Sequence, residues 1–233
     1  MTRVAPGGGG LLRSLRRRTA RPRRSAALRD QAREVYRDAI LAAAETVFAR
    51  CGFSGTRMAD VAAEAGLATG TLYNYFANRD ELLSSLIGCR SEELIAAVKA
   101  AAHAPTAGSP RELLVGLVRT TFEHFQTHRA LFAVLPAAAG ISGKHMASIA
   151  RRCMESQRSY QAVLADALER AVAGGLVRAD LPVSLLVGFL TGAAHGVMRA
   201  WMVQAGDQRI EQLLVDQSSD VVDLFLRGAS AIT

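Results

Sequence analysis

Cysteine is scarce in this chain and badly placed for a structural role. Only Cys51, Cys89 and Cys153 occur in 233 residues. An odd number at wide spacing, with no Cys-x-x-Cys pair, excludes a disulfide framework or zinc ribbon and points to a reducing compartment. No uninterrupted apolar run opens the chain, because charge breaks up Leu11, Leu12 and Leu15, so a secretory signal is not expected and the cytoplasm is. There is no alternating strand pattern and no repeat of roughly 20 to 50 residues. A Gly-rich phosphate loop, a G-x-S-x-G elbow and a visible Cys/His nucleophile arrangement are also missing, so an enzyme is not expected.

Acid is missing from one stretch in particular. RSLRRRTARPRR, Arg13 to Arg24, carries arginine throughout and no Asp or Glu. Residues 1 to 30 hold nine Arg against Asp30, a local charge of +8, so the total of +7 leaves the rest of the chain at about −1. Basicity is confined to the start, and any attraction for an anionic partner must begin there. Like charges in a Gly- and Pro-containing segment repel one another and stay solvated, so residues 1 to 30 read as a disordered arm, with order starting near Gln31. Such an arm suits nucleic acid; a solvated tail without a role and an organellar transit peptide are the other readings.

What remains is half hydrophobic, and its period is that of helices. Ile40, Leu41, Ala44, Val47, Phe48 and Cys51 form one stripe, closed by Gly52. Met58, Val61, Ala62 and Ala65 form a shorter one, with Thr56 as its N-cap and Gly66 as its stop. Only Gly66, Leu67 and Ala68 separate it from TGTLYNYF, the spacing of a helix-turn-helix. Asn78 caps a further helix, with Glu81 reaching back. His103 to Pro110, with three Gly or Pro, breaks the composition and reads as a hinge. Beyond it Leu114, Leu117, Val118, Thr121, Phe122 and Phe125, then Ile149, Cys153, Tyr160 and Leu164, then Leu213, Val221 and Phe225 are helical again. The fold class is all α.

LPVSLLVGFLTGAAHGVM, Leu181 to Met198, has no formally charged residue and approaches the ~18 to 20 residues that span a bilayer. Interrupted by glycines and carrying His195, it reads as a helix of a core or subunit interface, and no membrane is expected. His124 and His128, at i and i+4 beside Glu123, could face a metal together, but the sequence offers no identifiable third ligand; a solvated helix surface is the default, and neither metal nor cofactor is expected.

Phe48 to Leu82, FARCGFSGTRMADVAAEAGLATGTLYNYFANRDEL, resembles the DNA-binding domain of the TetR family of bacterial transcriptional regulators. The elements that carry the likeness are Phe48, Gly52-Phe53, Thr56, Met58 to Ala65, Gly66-Leu67, Gly70-Thr71-Leu72-Tyr73, Phe76 and Leu82, over residues 33 to 85. The resemblance implies a three-helix helix-turn-helix DNA-binding domain at 31–88, followed by a helical ligand-binding and dimerisation domain at 89–233. It implies a homodimeric repressor that leaves a palindromic double-stranded operator when a small-molecule effector binds; a helical ligand-binding or interaction protein without operator binding is the other reading. On the second helix of the motif, Thr69, Gly70 and Thr71 are small enough for close approach to base edges, while Tyr73, Asn74 and Tyr75 can reach bases or phosphates. Tyr73 and Tyr75 also suit half-buried aromatics with wet hydroxyls. Thr56 and Arg57 would clamp the DNA backbone, and Arg79 stands where the family usually has a phosphate-holding Lys. Ala68 departs from the family's frequent Ser at the cap. Leu72 and Phe76, at i and i+4, should face the domain core. A ligand is implied by the resemblance and not by spacing; Phe122, Phe125, Met154, Phe189, Met198 and Trp201 are the candidate lining, and their softness suggests a lipophilic or acyl molecule.

Overall fold

The computed structural model describes residues 21–104, 108–134, 143–204 and 209–229, with side chains placed for most of them. Among these residues there are helices and no strand. They are α1 (Arg21–Gly55), α2 (Met58–Glu64), α3 (Thr69–Tyr73), α4 (Arg79–Ala102), α5 (Pro110–Thr127), α6 (Arg129–Val134), α7 (Gly143–Ala173), α8 (Val183–Gln204) and α9 (Arg209–Ala229).

Helix α1 begins at Arg21 rather than near Gln31, which corrects the expected arm at its C-terminal end; residues 1–20 lie outside the described residues. The local reason is propensity. Pro22 sits in the first turn, where its missing N–H costs nothing, and Ala26, Ala27, Leu28 and the arginines are all good helix formers. The stretch up to Asp38 is a unit by itself, with Leu28, Val35 and Tyr36 exposed.

From Ala39 on, two apolar clusters form. The first holds Ile40, Leu41, Ala44, Val47 and Phe48 of α1, Val61 and Ala62 of α2, Leu72 of α3, Phe76, and Leu82, Leu83 and Leu86 of α4, joined by Leu131 and Ile149. Cys51 does not belong to it and is exposed. Gly52, at φ 68°, breaks α1, and the buried Phe53 beyond it brings its ring to 6.0 Å from Phe48. A Cβ in that left-handed conformation would be strained, so glycine is what lets Phe53 take the place that the stripe assigned to Cys51.

The second cluster is built by Val98 and Ala102 of α4, Leu114, Leu117, Val118 and Phe122 of α5, Leu164 and Leu168 of α7, Leu186 and Leu190 of α8, and Val222 and Phe225 of α9. Helix α4 therefore belongs to both clusters, its first half in one and its last turns in the other. Its start is secured locally: Asn78 Oδ1 accepts from Glu81 N at 2.9 Å, and Ala77 N donates to Glu81 Oε2 at 2.7 Å. Helix α5 starts in the same way, with Ser109 accepting from Glu112 N and Pro110 at the first helical position. Across the bundle Arg111 of α5 donates to both oxygens of Asp223 of α9, each at 2.8 Å.

Candidate nucleic-acid interface and ligand cavity

The turn between α2 and α3 is closed by backbone alone. Leu67 N donates to Ala62 O at 2.8 Å and Gly66 N to Ala63 O at 3.1 Å, with Gly66 at φ 67°; this is a Schellman closure, and its left-handed residue needs glycine. Leu72 and Phe76, both buried, then pin α3 and the turn after it against α1 and α4. With that face held, the opposite face of α3 is fixed in orientation and turned to solvent.

Thr69, Gly70, Tyr73 and Asn74 lie on it and are exposed, Thr71 is half-buried at its edge, and the Tyr73 ring is 52% exposed. Tyr75 is half-buried against the first cluster. A Cβ built on Gly70 would meet nothing within 4 Å, and its backbone is not left-handed. Neither packing nor conformation requires glycine there, although glycine inside a helix costs about 1 kcal/mol relative to alanine. The backbone of α3 at Gly70 is thus open to approach from outside. Ala68 occupies the N-cap and makes no side-chain cap hydrogen bond.

Two expected backbone clamps are engaged elsewhere. Thr56 is buried, and its Oγ1 donates to Gly52 O at 2.7 Å. It thus ties the end of α1, while Arg57, extended and exposed, holds the N-cap position of α2. Arg79 Nη1 donates to Ser54 O at 3.0 Å and Thr56 O at 3.3 Å, and its guanidinium lies 4.1 Å from the Phe53 ring centroid. Satisfying these carbonyls and stacking on an aromatic face together make Arg79 a strut between the end of α1 and the start of α2. Of the expected contact residues, the fold brings Thr69, Gly70, Thr71, Tyr73 and Asn74 to one surface.

The sequence model for bacterial regulatory proteins of the tetR family matches residues 40–86, the segment that builds this surface. Over this segment the chain is similar to that family. It is similar to the HTH-type transcriptional repressor KstR2 of Mycolicibacterium smegmatis, 27% identical over 179 residues that cover 76% of this chain and 84% of the relative. In fold it is similar to the fatty acid degradation regulator FadR of Bacillus halodurans, with a TM-score of 0.68 at 23% identity over 83% of this chain and 95% of that one. It is likewise similar to FadR of Bacillus subtilis in complex with stearoyl-CoA, with a TM-score of 0.64 at 23% identity over 82% and 97%.

A cavity of about 390 Å³ lies among α4, α5, α6, α7 and α8. Its wall is mainly apolar: Ile87, Leu94, Phe125, Leu131, Phe132 and Met198 contribute to it. Of the expected lining residues Phe125 and Met198 are in the wall. Trp201 is buried behind it, its ring centroid 5.9 Å from Phe125, and Phe122 is fully buried in the second cluster. Met154 and Phe189, 56% and 67% exposed, are not in the wall: each lies on the outward side of its helix, one position away from a residue that points in.

Polar groups complete the cavity. Thr121 Oγ1 stands 2.8 Å from Leu117 O and 3.1 Å from Tyr160 Oη. A hydroxyl has one proton to give; with that of Thr121 on the Leu117 carbonyl, Tyr160 donates to Thr121. Burial raises the Tyr160 phenol above its usual range. Arg90, His124, His195 and Arg199 also line the cavity. Burial first, and then the neighbouring His128 ring, holds His124 at about 4, so it is a neutral imidazole at pH 7. Burial and then Arg199 lower His195.

Beside the cavity lies a charged network. His128 Nδ1 is 2.8 Å from Glu45 Oε1, and Arg90 Nε donates to Glu45 Oε2 at 2.9 Å and Arg90 Nη1 to Glu93 Oε1 at 2.7 Å. Its members come from α1, α4 and the C-terminal end of α5. Arg90 belongs both to the network and to the cavity wall. Periodicity assigned Arg90 to no stripe, and only its flanking by Ile87 and Leu94 hinted that it faces an interior.

Proposed function

We propose that this chain is a cytoplasmic, homodimeric repressor that binds a palindromic operator through α3 and leaves it when a lipophilic small molecule occupies the cavity. The observation that carries the DNA-binding part is the exposed face of α3, where Gly70 is demanded by nothing inside the fold. Thr69, Gly70 and Thr71 approach base edges, Tyr73 and Asn74 reach bases or phosphates, and Arg57 and Tyr75 flank them along the backbone; Thr56 and Arg79 position the loop from within. Residues 31–88 form the reading domain and 89–233 the regulatory one.

Dimerisation is supported by the outer face of α8 and α9. Leu185, Phe189 and Leu224 are exposed there, and Gly188, Gly192 and Gly196 would each place a Cβ in open space. Val183–Met202 is long and apolar enough to cross a membrane by length and composition, but Leu186, Leu190 and Ala194 of the same helix are core residues. A second copy covering the remaining apolar strip, two helices from each subunit, makes a four-helix interface and accounts for both faces.

The effector follows from the wall. Aliphatic and aromatic side chains on one part, with Arg199 and two imidazoles on another, suit an amphiphile with an anionic end. The stearoyl-CoA in the Bacillus subtilis neighbour is of this class. Because Ile87 and Leu131 belong to both the cavity wall and the first cluster, a ligand there touches the packing that orients α3. Release requires that the ligand favour a state in which the two α3 helices no longer match the half-sites. DNase footprinting on the DNA that flanks the gene, with and without long-chain acyl-CoA, tests both parts. A symmetric footprint that fades with acyl-CoA is expected. No footprint ends the repressor reading, and a footprint indifferent to acyl-CoA ends the effector reading.

A further inference from the structure

His124 and His128 stand one turn apart at the C-terminal end of α5, with ring centroids 4.6 Å apart. The third group that the sequence did not identify arrives from α4: one donor atom each from Glu93, His124 and His128 lie within 4.8 Å of one another. Donors around a four-coordinate zinc ion, at bonds of ~2.0–2.1 Å, are separated by roughly 3.3 Å, and His128 Nε2 is already 3.7 Å from Glu93 Oε2. The Glu93 side chain, 44% exposed, has room to adjust.

The surroundings prepare each ligand. Glu45 Oε1 takes the proton of His128 Nδ1, which turns the lone pair of Nε2 toward Glu93; a carboxylate behind a ligating histidine is the usual outer-shell arrangement. Arg90 holds Glu93 by Oε1 and Glu45 by Oε2, leaving Glu93 Oε2 as the ligand oxygen. Between His128 Nε2 and Glu93 Oε2 there is a place for one cation, a metal ion or a proton. Counting Glu45, Glu93 and Arg90 leaves one net negative charge for that cation to meet. Two imidazoles and one carboxylate, with a fourth position left for water, is a ligand set of zinc type.

We propose that Glu93, His124 and His128 bind one divalent transition-metal ion of the zinc class per chain, with Glu45 and Arg90 as its outer shell. Through Glu45 the ion ties α1 of the reading domain to α4 and α5 beside the cavity. The competing occupant is a proton on His128 Nε2, which bridges the two carboxylates without any metal.

Untagged full-length protein, stripped with chelator, is titrated with Zn2+ by calorimetry and with Co2+ by visible absorption. One ion per chain at micromolar or lower dissociation constant, with the d–d bands of four- or five-coordinate Co2+, is the expected result. His124→Gln and Glu93→Gln should each weaken binding at least ~tenfold, and Glu45→Gln by roughly 10- to 100-fold with stoichiometry kept, as outer-shell losses do. Circular dichroism of the metal-free variants separates ligand loss from misfolding. Absence of saturable binding by the wild-type chain, which needs no variant to fold, overturns the proposal, as does binding that survives the folded double variant His124→Gln/Glu93→Gln unchanged.

Discussion

Glu45 of α1 and His128 at the C-terminal end of α5 are joined at 2.8 Å across 83 positions of sequence. Both side chains are largely buried, at 14% and 13% exposure, and Glu45 also receives Arg90. One carboxylate thus links the packing of the helix-turn-helix to two helices of the cavity wall. Removing it leaves an imidazole and one arm of a guanidinium short of a partner. Glu45→Ala should destabilise the fold by roughly 1.5–3 kcal/mol, the scale of hydrogen bonds to charged groups, while Arg90 keeps Glu93. Urea unfolding checks this; an unchanged midpoint would reduce the network to a surface ornament.

The two faces of the α3 region separate stability from binding. Gly70→Ala is expected to raise stability by about 0.5–1 kcal/mol, because the helix loses a glycine and the new Cβ meets nothing, and to lower operator affinity, because that Cβ stands where the DNA approaches. Thermal melts and gel shifts on one preparation test the pair. Tighter operator binding would move the contact surface away from Gly70.

Tyr73 and Arg79 should behave as opposites. Tyr73→Ala leaves stability within ~0.5 kcal/mol, as exposed substitutions do, yet lowers operator affinity at least ~tenfold. Arg79→Ala lowers stability by roughly 1.5–3 kcal/mol through the lost bonds to the Ser54 and Thr56 carbonyls. Should Arg79→Ala leave the melt unchanged while abolishing the gel shift, its role would be that of a phosphate contact after all.

On α8, Phe189→Glu places a charge in the middle of the exposed apolar strip. Light scattering should report a monomer, and Gly192→Glu should do the same. A dimer that persists in both variants would put the interface on another face.

Residues 1–20 precede α1 and carry most of the arginine run. Each phosphate neutralised steepens log K against log[salt] by ~0.9, so two contacts per subunit would add roughly 3 to 4 to the slope of a dimer. Deleting residues 1–20 should flatten the slope and weaken operator and scrambled duplex alike, with the preferred sequence unchanged. Equal slopes for the full and shortened chains would leave the arm without a DNA role.

The all-helical fold, the start of α4 at Asn78, the Gly66 turn and the inward aim of Leu72 and Phe76 were all determined by the sequence itself, because each depends on groups within a turn or two of one another: periodicity, a capping side chain, a left-handed glycine. The tertiary structure alone decided what those faces meet. Thr56 and Arg79 have the chemistry of phosphate contacts, and the chain folds back so that the carbonyls of Gly52, Ser54 and Thr56 accept from them. Met154 and Phe189 have the composition of a pocket and sit just off the angle that would put them in one. Glu93 lies in α4 and His128 ends α5, and no local rule brings a residue of one helix beside a residue of another. Helical spacing states which side chains share a face; the partner of that face is set by how the helices pack, a competition among many apolar contacts that no short window of sequence contains.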